Sequence, residues 1–165
     1  MRTKLELSTV LAASLIMVSW PAPGHAAQPS CNVWQVAKVE REEGKRWTAS
    51  VCAKSKGRDA FLEIVCYGDK WNIRYQPVLP DSHNPGDGMS DFVFKTSAGA
   101  RRVALGFEGL DGAFATDFDR RHPLFEMMMR GDRLSIRDTT AKVAMQSYTL
   151  SGSRKALSKL MRNCR

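Results

Sequence analysis

The sequence predicts a mainly β protein: an antiparallel β-sandwich or flattened barrel with a short internal helix, a C-terminal helix and two disulfides. Three observations lead to this fold class. Segments of alternating apolar and polar residues recur between turn signals that contain glycine. The cysteines are even in number, at positions 31, 52, 66 and 164. The last segment of the chain has helical rather than strand periodicity.

The first 26 residues have the pattern of a cleaved signal peptide. Two basic residues precede the apolar run LSTVLAASLIMVSW, and Gly24-His25-Ala26 fits the small-x-Ala cleavage rule. The run is too short to span a bilayer and is followed by two prolines. We therefore expect residues 27–165 to form one periplasmic or secreted domain with no transmembrane segment.

The chain is basic, with 25 Lys and Arg residues against 17 Asp and Glu residues and a net charge of +8. Most of this charge follows residue 26, where 23 basic residues stand against 16 acidic ones. The basic residues are dispersed and no nucleic-acid-binding motif occurs, so we predict no nucleic-acid partner. A basic exported protein suits a protein partner or an acidic envelope component.

The clearest strand signal lies around CYGDKW, where Gly68-Asp69 is typical of a two-residue hairpin turn. A turn centred there places Cys66 opposite Trp71 and separates apolar from polar side chains on the two faces of the hairpin. The apolar face comprises Leu62, Ile64, Trp71, Ile73 and Tyr75, and the polar face comprises Glu63, Asn72 and Arg74.

The preceding turn, KSKGRDA, is less diagnostic, and four cysteines allow three connectivities. Centring this turn on Asp59 places Cys52 directly across from Cys66, within disulfide reach. This register predicts a Cys52–Cys66 bridge and leaves Cys31 to pair with Cys164. The second bridge would tie the start of the mature chain to its end and anchor the terminal helix.

Further strands are predicted downstream. The segment LDGA indicates a turn at Asp111-Gly112, which would place Leu105 opposite Phe118. DFVFKT is a shorter strand, and RLSIRD and KVAMQSYTL alternate well enough to pair across TTA.

Two helices are predicted among the strands. In HPLFEMMMRG, Pro123 occupies an allowed first position, His122 caps the start and Gly131 ends the helix. In SRKALSKLMRNC, Ser153 is predicted as the N-cap. One face of this helix is apolar and comprises Ala156, Leu157, Leu160, Met161 and Cys164. The opposite face is basic and comprises Arg154, Lys155, Lys159 and Arg162.

No catalytic residue, cofactor or metal site is predicted. The segment LPDSHNPGDGMSD brings Asp81, His83 and Asp87 close in sequence, but a nucleophilic triad draws its members from separate elements. The same residue types are common in turns, so we expect a surface loop whose three named side chains contact a partner. Arg120 and Arg121 precede the short helix, and we expect them to be exposed and to contribute to binding.

The remaining histidines and methionines do not indicate a metal. His83 and His122 are the only histidines after residue 26, and no acidic cluster stands at ligand spacing. The methionines at 127–129 are consecutive and must spread around a helix, which favours core packing. Among the tryptophans, Trp47 follows a predicted turn and begins a strand, so it is the best candidate for a partly exposed aromatic residue.

Four segments together resemble two families: FLEIVCYGDKWNIRY, GFEGLDG, MRGDRLSIRD and YTLSGSRKALSKLMRNC. They are similar to the type VI secretion-associated accessory (TagO-type) family, in which a strand ends in Cys, a hairpin follows, and an S-G-x-x-x-A-L-x-x-L helix and a cysteine finish the chain. The ending LSGSRKALSKL also resembles the invasion-associated locus B family. Over residues 47–164 the resemblance implies a mainly β, exported, non-enzymatic accessory protein in which Cys52, Cys66 and Cys164 serve structure.

The sequence thus predicts an exported binding or accessory protein, secretion- or invasion-associated, that acts without catalysis on an envelope component or a partner protein. One alternative is an inhibitor of a cell-wall hydrolase or another enzyme, with the loop Asp81–Asp91 as the inserted segment. An alternative of a different class is an envelope hydrolase, which a cleft-lining His83 or a cleft-lining pair of carboxylates would favour. The sequence does not predict an oligomeric state.

Overall fold

Nine antiparallel strands form one sheet in a computed structural model that describes residues 30–55, 57–80, 85–86 and 88–164. In chain order the elements are β1 (Gln35–Val39), β2 (Arg46–Ser55), β3 (Arg58–Tyr67), β4 (Lys70–Gln76), β5 (Met89–Thr96), β6 (Gly99–Glu108), β7 (Ala113–Asp119), α1 (Pro123–Arg130), β8 (Arg133–Asp138), β9 (Gln146–Thr149) and α2 (Ser153–Asn163). The sheet order is β1-β2-β3-β4-β7-β6-β5-β8-β9. The predicted mainly β fold with two helices is confirmed.

The sheet rolls up until its two ends meet. The indole Nε1 of Trp34 donates to the carbonyl oxygen of Thr149 at 2.9 Å, and the Trp34 backbone N–H donates to Ser151 at 3.0 Å. Farther along the same seam, the Tyr148 hydroxyl lies 3.5 Å from the carbonyl oxygen of Phe61. The accumulated strand twist therefore produces a flattened barrel, closed by these contacts rather than by a strand ladder.

Aromatic side chains fill the inside of the rolled sheet. Tyr75 and Phe92 meet edge to face with ring centroids 5.4 Å apart, and Phe92 meets Phe114 at 4.8 Å. Trp71 packs edge to face against Phe125 of α1 at 4.6 Å. All five side chains are almost fully buried, so strands from both halves of the sheet share one core with α1.

The β3–β4 hairpin has the predicted register. Cys66 opposes Trp71 and Leu62 opposes Tyr75, as a turn centred on Gly68-Asp69 requires. Gly68 has a φ of +65°, in the left-handed region that this two-residue turn needs. The prediction succeeded here because a one-residue slip would have turned the apolar set toward solvent.

The predicted register between β2 and β3 is wrong, and with it the predicted disulfides. Cys52 opposes Phe61 rather than Cys66, and Ser55 opposes Arg58 around a tight turn in which Gly57 has a φ of +78°. The bridges are therefore Cys31–Cys52 and Cys66–Cys164, not Cys52–Cys66 and Cys31–Cys164.

The observed bridges follow from the true register. The backbone N–H of Cys52 donates to the carbonyl oxygen of Ser30 at 3.1 Å, which lays Cys31 alongside β2. Cys66 stands at the opposite end of β3, next to the hairpin turn, where α2 delivers Cys164. The anchoring of the terminal helix by Cys164 is confirmed, although its partner differs from the predicted one.

The turn between β6 and β7 is also longer than predicted. Phe107 opposes Phe114 and Glu108 opposes Ala113, so residues 109–112 form the connection and Leu105 does not oppose Phe118. A register shift by two residues leaves every side chain on its predicted face. The predicted β8–β9 pairing is confirmed, with a longer connection over residues 139–145.

The caps of the two helices differ in how well the sequence predicted them. His122 caps α1 as expected, since its Nδ1 accepts from the Leu124 N–H at 3.4 Å. Ser153 is not the N-cap of α2; Gly152 is, with a φ of +78°, and Ser153 is the first helical residue. The Ser153 hydroxyl instead donates to the carbonyl oxygen of Met128 at 2.9 Å and joins α2 to α1.

The predicted apolar face of α2 is the buried one, with Ala156, Leu157, Leu160 and Cys164 in the core and Met161 at 37% exposure. The described residues contain no helix whose length and hydropathy would suit a membrane span. The predicted signal peptide lies outside the described residues.

Candidate functional site

A groove of about 780 Å³ crosses the outer face of the sheet. Its floor is the polar face of β4, with Asn72 and Arg74, together with Asp117 of β7. One wall is the turn between β1 and β2, residues 40–43, and the other is the end of β6 with the turn that follows it, residues 108–111. We call this the acidic groove, for the charges described below.

Arg74 ties one wall to the floor. Its Nη1 lies 2.6 Å from Glu108 Oε2, and its Nη2 bonds the carboxylate of Asp111. Gln76 Nε2 also donates to the Asp111 carbonyl oxygen at 2.9 Å. Burial would lower the pKa of Arg74, but the charges and hydrogen bonds of Glu108 and Asp111 outweigh burial and raise it. A charged guanidinium, only 13% exposed, therefore fixes both carboxylates.

A second ion pair holds the opposite wall. Arg41 Nη2 lies 2.7 Å from Glu63 Oε2, and both side chains are mostly buried. Tyr67 closes this end, with the guanidinium of Arg46 5.3 Å from its ring centroid. Burial, and then the charge of Glu43, raise the pKa of Tyr67 against the lowering influence of nearby arginines. The phenol is therefore neutral at ordinary pH and available as a hydrogen-bond donor.

The groove is acidic in a basic protein. Six carboxylates and two arginines line it, a net charge of −4, while the whole chain carries +8. Glu40, Glu42 and Glu43 form no ion pair with any residue that the structure describes. Leu110 stands fully exposed on the other wall. The arrangement suits a cationic ligand that also offers an apolar contact.

Three polar atoms of the residues that line the groove are buried and lack a hydrogen-bond partner among the described residues. Asn72 Nδ2 donates to Asp117 Oδ1 at 2.8 Å, whereas Asn72 Oδ1 is buried without a partner among the described residues. The Nε atoms of Arg41 and Arg74 are likewise buried without a hydrogen-bond partner among the described residues. These three atoms are closed off from solvent, so they are not among the groups that the groove presents to a ligand.

A smaller cavity of about 340 Å³ lies beside the predicted contact loop and includes Pro85 and Asp138. Asp138 accepts from the backbone N–H groups of Thr140, Lys142 and Val143. Burial alone would raise the pKa of Asp138, but these bonds and that from the Thr140 hydroxyl lower it. The ionised carboxylate thus shapes the β8–β9 connection and serves structure rather than chemistry.

Of the five predicted contact residues, the structure describes only Arg120 and Arg121. Asp81, His83 and Asp87 are outside the described residues. Arg120 and Arg121 are exposed between β7 and α1, as expected, but neither lines the groove. The sequence offered only indirect signals for the site: the polar face of the hairpin and the acidic run in EREEGKR.

Within the described residues, one group places three potential metal ligands within 4.8 Å of one another: Cys31, Cys52 and Asp59. Both sulfurs are bonded to each other in a disulfide, so only one carboxylate remains. A single carboxylate does not make a metal site.

Trp47 is half-buried, which confirms it as a partly exposed aromatic residue. The ammonium groups of Lys38 and Lys159 lie 5.4 and 5.5 Å from its ring centroid. Trp34 and Trp71 are buried in the core. Trp47 therefore stands apart, where α2 meets the first two strands.

No protein-family model matches the chain, and a search of curated proteins found no significant relative. Among solved structures, the fold is similar to invasion associated protein B from Bartonella henselae, with a TM-score of 0.55 and 14% sequence identity over 79% of this chain and 92% of that chain. At this identity the likeness shows the fold alone. It supports the predicted resemblance to the invasion-associated locus B family at the level of fold, and nothing found supports the resemblance to the type VI secretion-associated family.

Proposed function

We propose that this chain is an exported, non-catalytic accessory protein that binds a basic segment of a partner protein in the acidic groove. The observation that carries the proposal is the groove itself, with a net charge of −4 between two tethered walls. Glu40, Glu42 and Glu43, which pair with none of the described residues, offer sites for Lys or Arg side chains, and the exposed Leu110 offers an apolar contact.

Two further observations support an exported, invasion-associated role. Both disulfides join distant parts of the chain, as is typical of proteins from an oxidising compartment. The Bartonella henselae protein with a similar fold is an invasion associated protein, and the structural match covers most of both chains. An accessory role in invasion is therefore favoured over one in secretion.

The groove carboxylates bear on the hydrolase alternative. Glu108 and Asp111 are both held by Arg74, and Asp117 accepts from Asn72. A general acid usually needs an apolar pocket that keeps a carboxyl protonated, whereas these three side chains are exposed and face cationic or donor groups. Their surroundings favour charge recognition over proton transfer. The inhibitor alternative relies on the loop Asp81–Asp91, in which residues 81–84 and 87, His83 among them, lie outside the described residues.

The test is capture of partners from envelope extract by immobilised residues 27–165, together with binding of a labelled Lys/Arg-rich peptide. We expect Glu40→Gln, Glu42→Gln and Glu43→Gln together to weaken peptide binding roughly tenfold, since each exposed ion pair contributes about 0.2–1 kcal/mol. Added salt should weaken binding as well.

A matched variant removes three exposed carboxylates elsewhere: Asp59→Asn, Glu126→Gln and Asp132→Asn. It should bind the peptide and the captured partner as the unchanged protein does. An equal loss of peptide binding in both variants would mean that only the net charge of the protein matters, and it would refute the proposal that the acidic groove is the binding site. Wall, ester or peptide hydrolysis that is lost in Glu108→Gln or Asp117→Asn would favour the hydrolase instead. If an acidic partner is captured, and its capture is lost when Arg120 and Arg121 are changed to Gln, the binding site is at these two arginines, as the sequence predicts.

A further inference from the structure

The outward face of α2 is a dense basic surface, which we call the basic face: Arg154, Lys155, Lys159 and Arg162. All four residues are exposed, and the helix contains no acidic residue. At 3.6 residues per turn they fall within roughly 140° of the helix circumference and extend over about 12 Å. None of the four forms an ion pair with the described residues.

Aromatic and apolar groups border this surface. Trp47 lies beside it, with the Lys159 ammonium 5.5 Å from the ring centroid and Lys38 on the same ring. Met161 and Val33 are exposed nearby, Met161 on α2 and Val33 against Gly152 at the helix start. Tryptophan beside lysine and arginine is the composition that proteins place at the interface between a membrane and water.

The basic face and the acidic groove lie on opposite faces of the first strands. Side chains alternate along β2, so Trp47, beside α2, points away from its neighbour Arg46, which lies over Tyr67 in the groove. Most of the apolar side of α2, including Leu157 and Leu160, is buried in the core, which fixes the direction of the basic side. Contact through one face therefore leaves the other free.

The shape of the surface distinguishes among anionic partners. The four side chains are exposed on one side of a helix, and neither of the two cavities described above includes a residue of α2, so the basic face is a ridge rather than a cleft. A polysaccharide chain or an acidic peptide is held best by a concave site. A ridge with four cationic side chains matches a planar array of phosphate headgroups, which attracts each basic residue independently.

We propose that the basic face of α2, with Lys38 and Trp47 at its edge, binds the surface of a membrane rich in anionic phospholipid. The contact is electrostatic and peripheral, because the apolar side of the helix, apart from Met161, is buried and cannot insert. It holds the protein with the acidic groove directed away from the lipid. This proposal does not depend on what the groove binds.

The experiment uses residues 27–165, which contain every described element and both disulfides. Co-sedimentation with phosphatidylcholine vesicles, with and without phosphatidylglycerol, should show binding only to the anionic vesicles, and high salt should reverse it. Changing Lys155, Lys159 and Arg162 together to Gln should lower partitioning by up to about 100-fold, at about fivefold per residue. Arg154 is left in place because its Nε donates to Met129 on α1.

The matched control removes three exposed basic residues from β5, β8 and the connection after β8: Lys95→Gln, Arg137→Gln and Lys142→Gln. It should change partitioning by less than about threefold. Equal losses in the two variants, or equal binding to both kinds of vesicle, would overturn the proposal. So would capture of a soluble anionic polysaccharide without partitioning onto vesicles. Unchanged unfolding midpoints would show that both variants are folded.

Tryptophan fluorescence gives an independent readout of orientation. Trp34 and Trp71 are buried, so a shift in emission on adding anionic vesicles should come from Trp47. Trp47→Phe should abolish the shift while leaving most of the partitioning intact. A shift that persists in Trp47→Phe would show that another surface meets the lipid.

Discussion

The acidic groove and the basic face show two ways of building a charged surface on one small sheet. The six carboxylates of the groove come from two turns and the ends of two strands, in parts of the chain that are far apart in sequence, and both of its arginines form ion pairs. The basic face takes four cations from nine consecutive residues of one helix and leaves them unpaired with the described residues. The net charge of +8 therefore conceals a molecule with two faces of opposite sign.

The two surfaces also differ in what holds them. Ion pairs of Arg41 and Arg74 tether the walls of the groove, and such contacts contribute modestly when they are partly solvated. A disulfide and a row of buried apolar side chains fix α2. The helix should therefore be a rigid platform and the groove the more adaptable surface, a contrast that the following variants can break or sharpen.

The largest effect should come from the disulfides. In the chain-entropy model the Cys66–Cys164 bridge, with a sequence separation of 98, stabilises by about 5 kcal/mol, and the Cys31–Cys52 bridge, with a separation of 21, by about 3 kcal/mol. Replacing each pair by alanine and measuring unfolding in denaturant should reproduce this order. Loss of the long bridge should also release the end of α2. The reverse order would mean that α2 does not need its anchor.

A smaller effect is expected from the packing of α2. Leu157 is completely buried, and Leu157→Ala should lower the free energy of unfolding by about 2–5 kcal/mol. Met161, at 37% exposure on the next turn, is the control, and Met161→Ala should change the same quantity by less than about 0.5 kcal/mol. Similar small values for both would contradict a fixed helix.

These differences between the surfaces also explain what could be predicted from the sequence. The faces of α2 and of the Gly68-Asp69 hairpin follow from local periodicity, and the structure confirms them. The β2–β3 register had no such constraint, because its turn offered several centres, and choosing Asp59 rather than a tight turn at Gly57 displaced Cys52 from its true partner. The cysteine pairing was wrong for that reason.

The groove could not be predicted by the same means. Arg74 meets Glu108 and Asp111 across 34 and 37 residues, and Arg41 meets Glu63 across 22. Alternation places Arg74 and Glu63 on the outer face, but it does not say which turns fold over them. Long-range ion pairs leave no periodic trace in a sequence, so the site appears only when the sheet is assembled.

Arg74 allows a test of the tether in the groove. Arg74→Ala leaves Glu108 and Asp111 without their shared partner and should destabilise the fold by about 1–3 kcal/mol. Arg102 pairs with Asp91 on an exposed surface and is the control, so Arg102→Ala should cost less than about 1 kcal/mol. Urea unfolding at matched salt measures both. Equal effects would show that the buried position of Arg74 adds nothing.

The smallest effect concerns the protonation of Tyr67. Burial, followed by the charge of Glu43, raises the pKa of its phenol, and burial raises the pKa values of Tyr75 and Tyr148 as well. Because the folded pKa of Tyr67 lies above the unfolded value of about 10, its contribution to stability is complete below that pH and is lost as the pH rises through the folded pKa.

Replacing Glu43 by Gln should lower the pKa of Tyr67, because one negative charge that opposes the phenolate is gone. Ultraviolet difference absorbance during alkaline titration of the folded protein should show the Tyr67 transition moving to lower pH. Glu126→Gln, on α1 and outside the groove, should leave the transition in place. If the Tyr67 transition stays at the same pH in Glu43→Gln, Glu43 does not face the groove. One of the three carboxylates that we propose for binding a basic partner would then be lost.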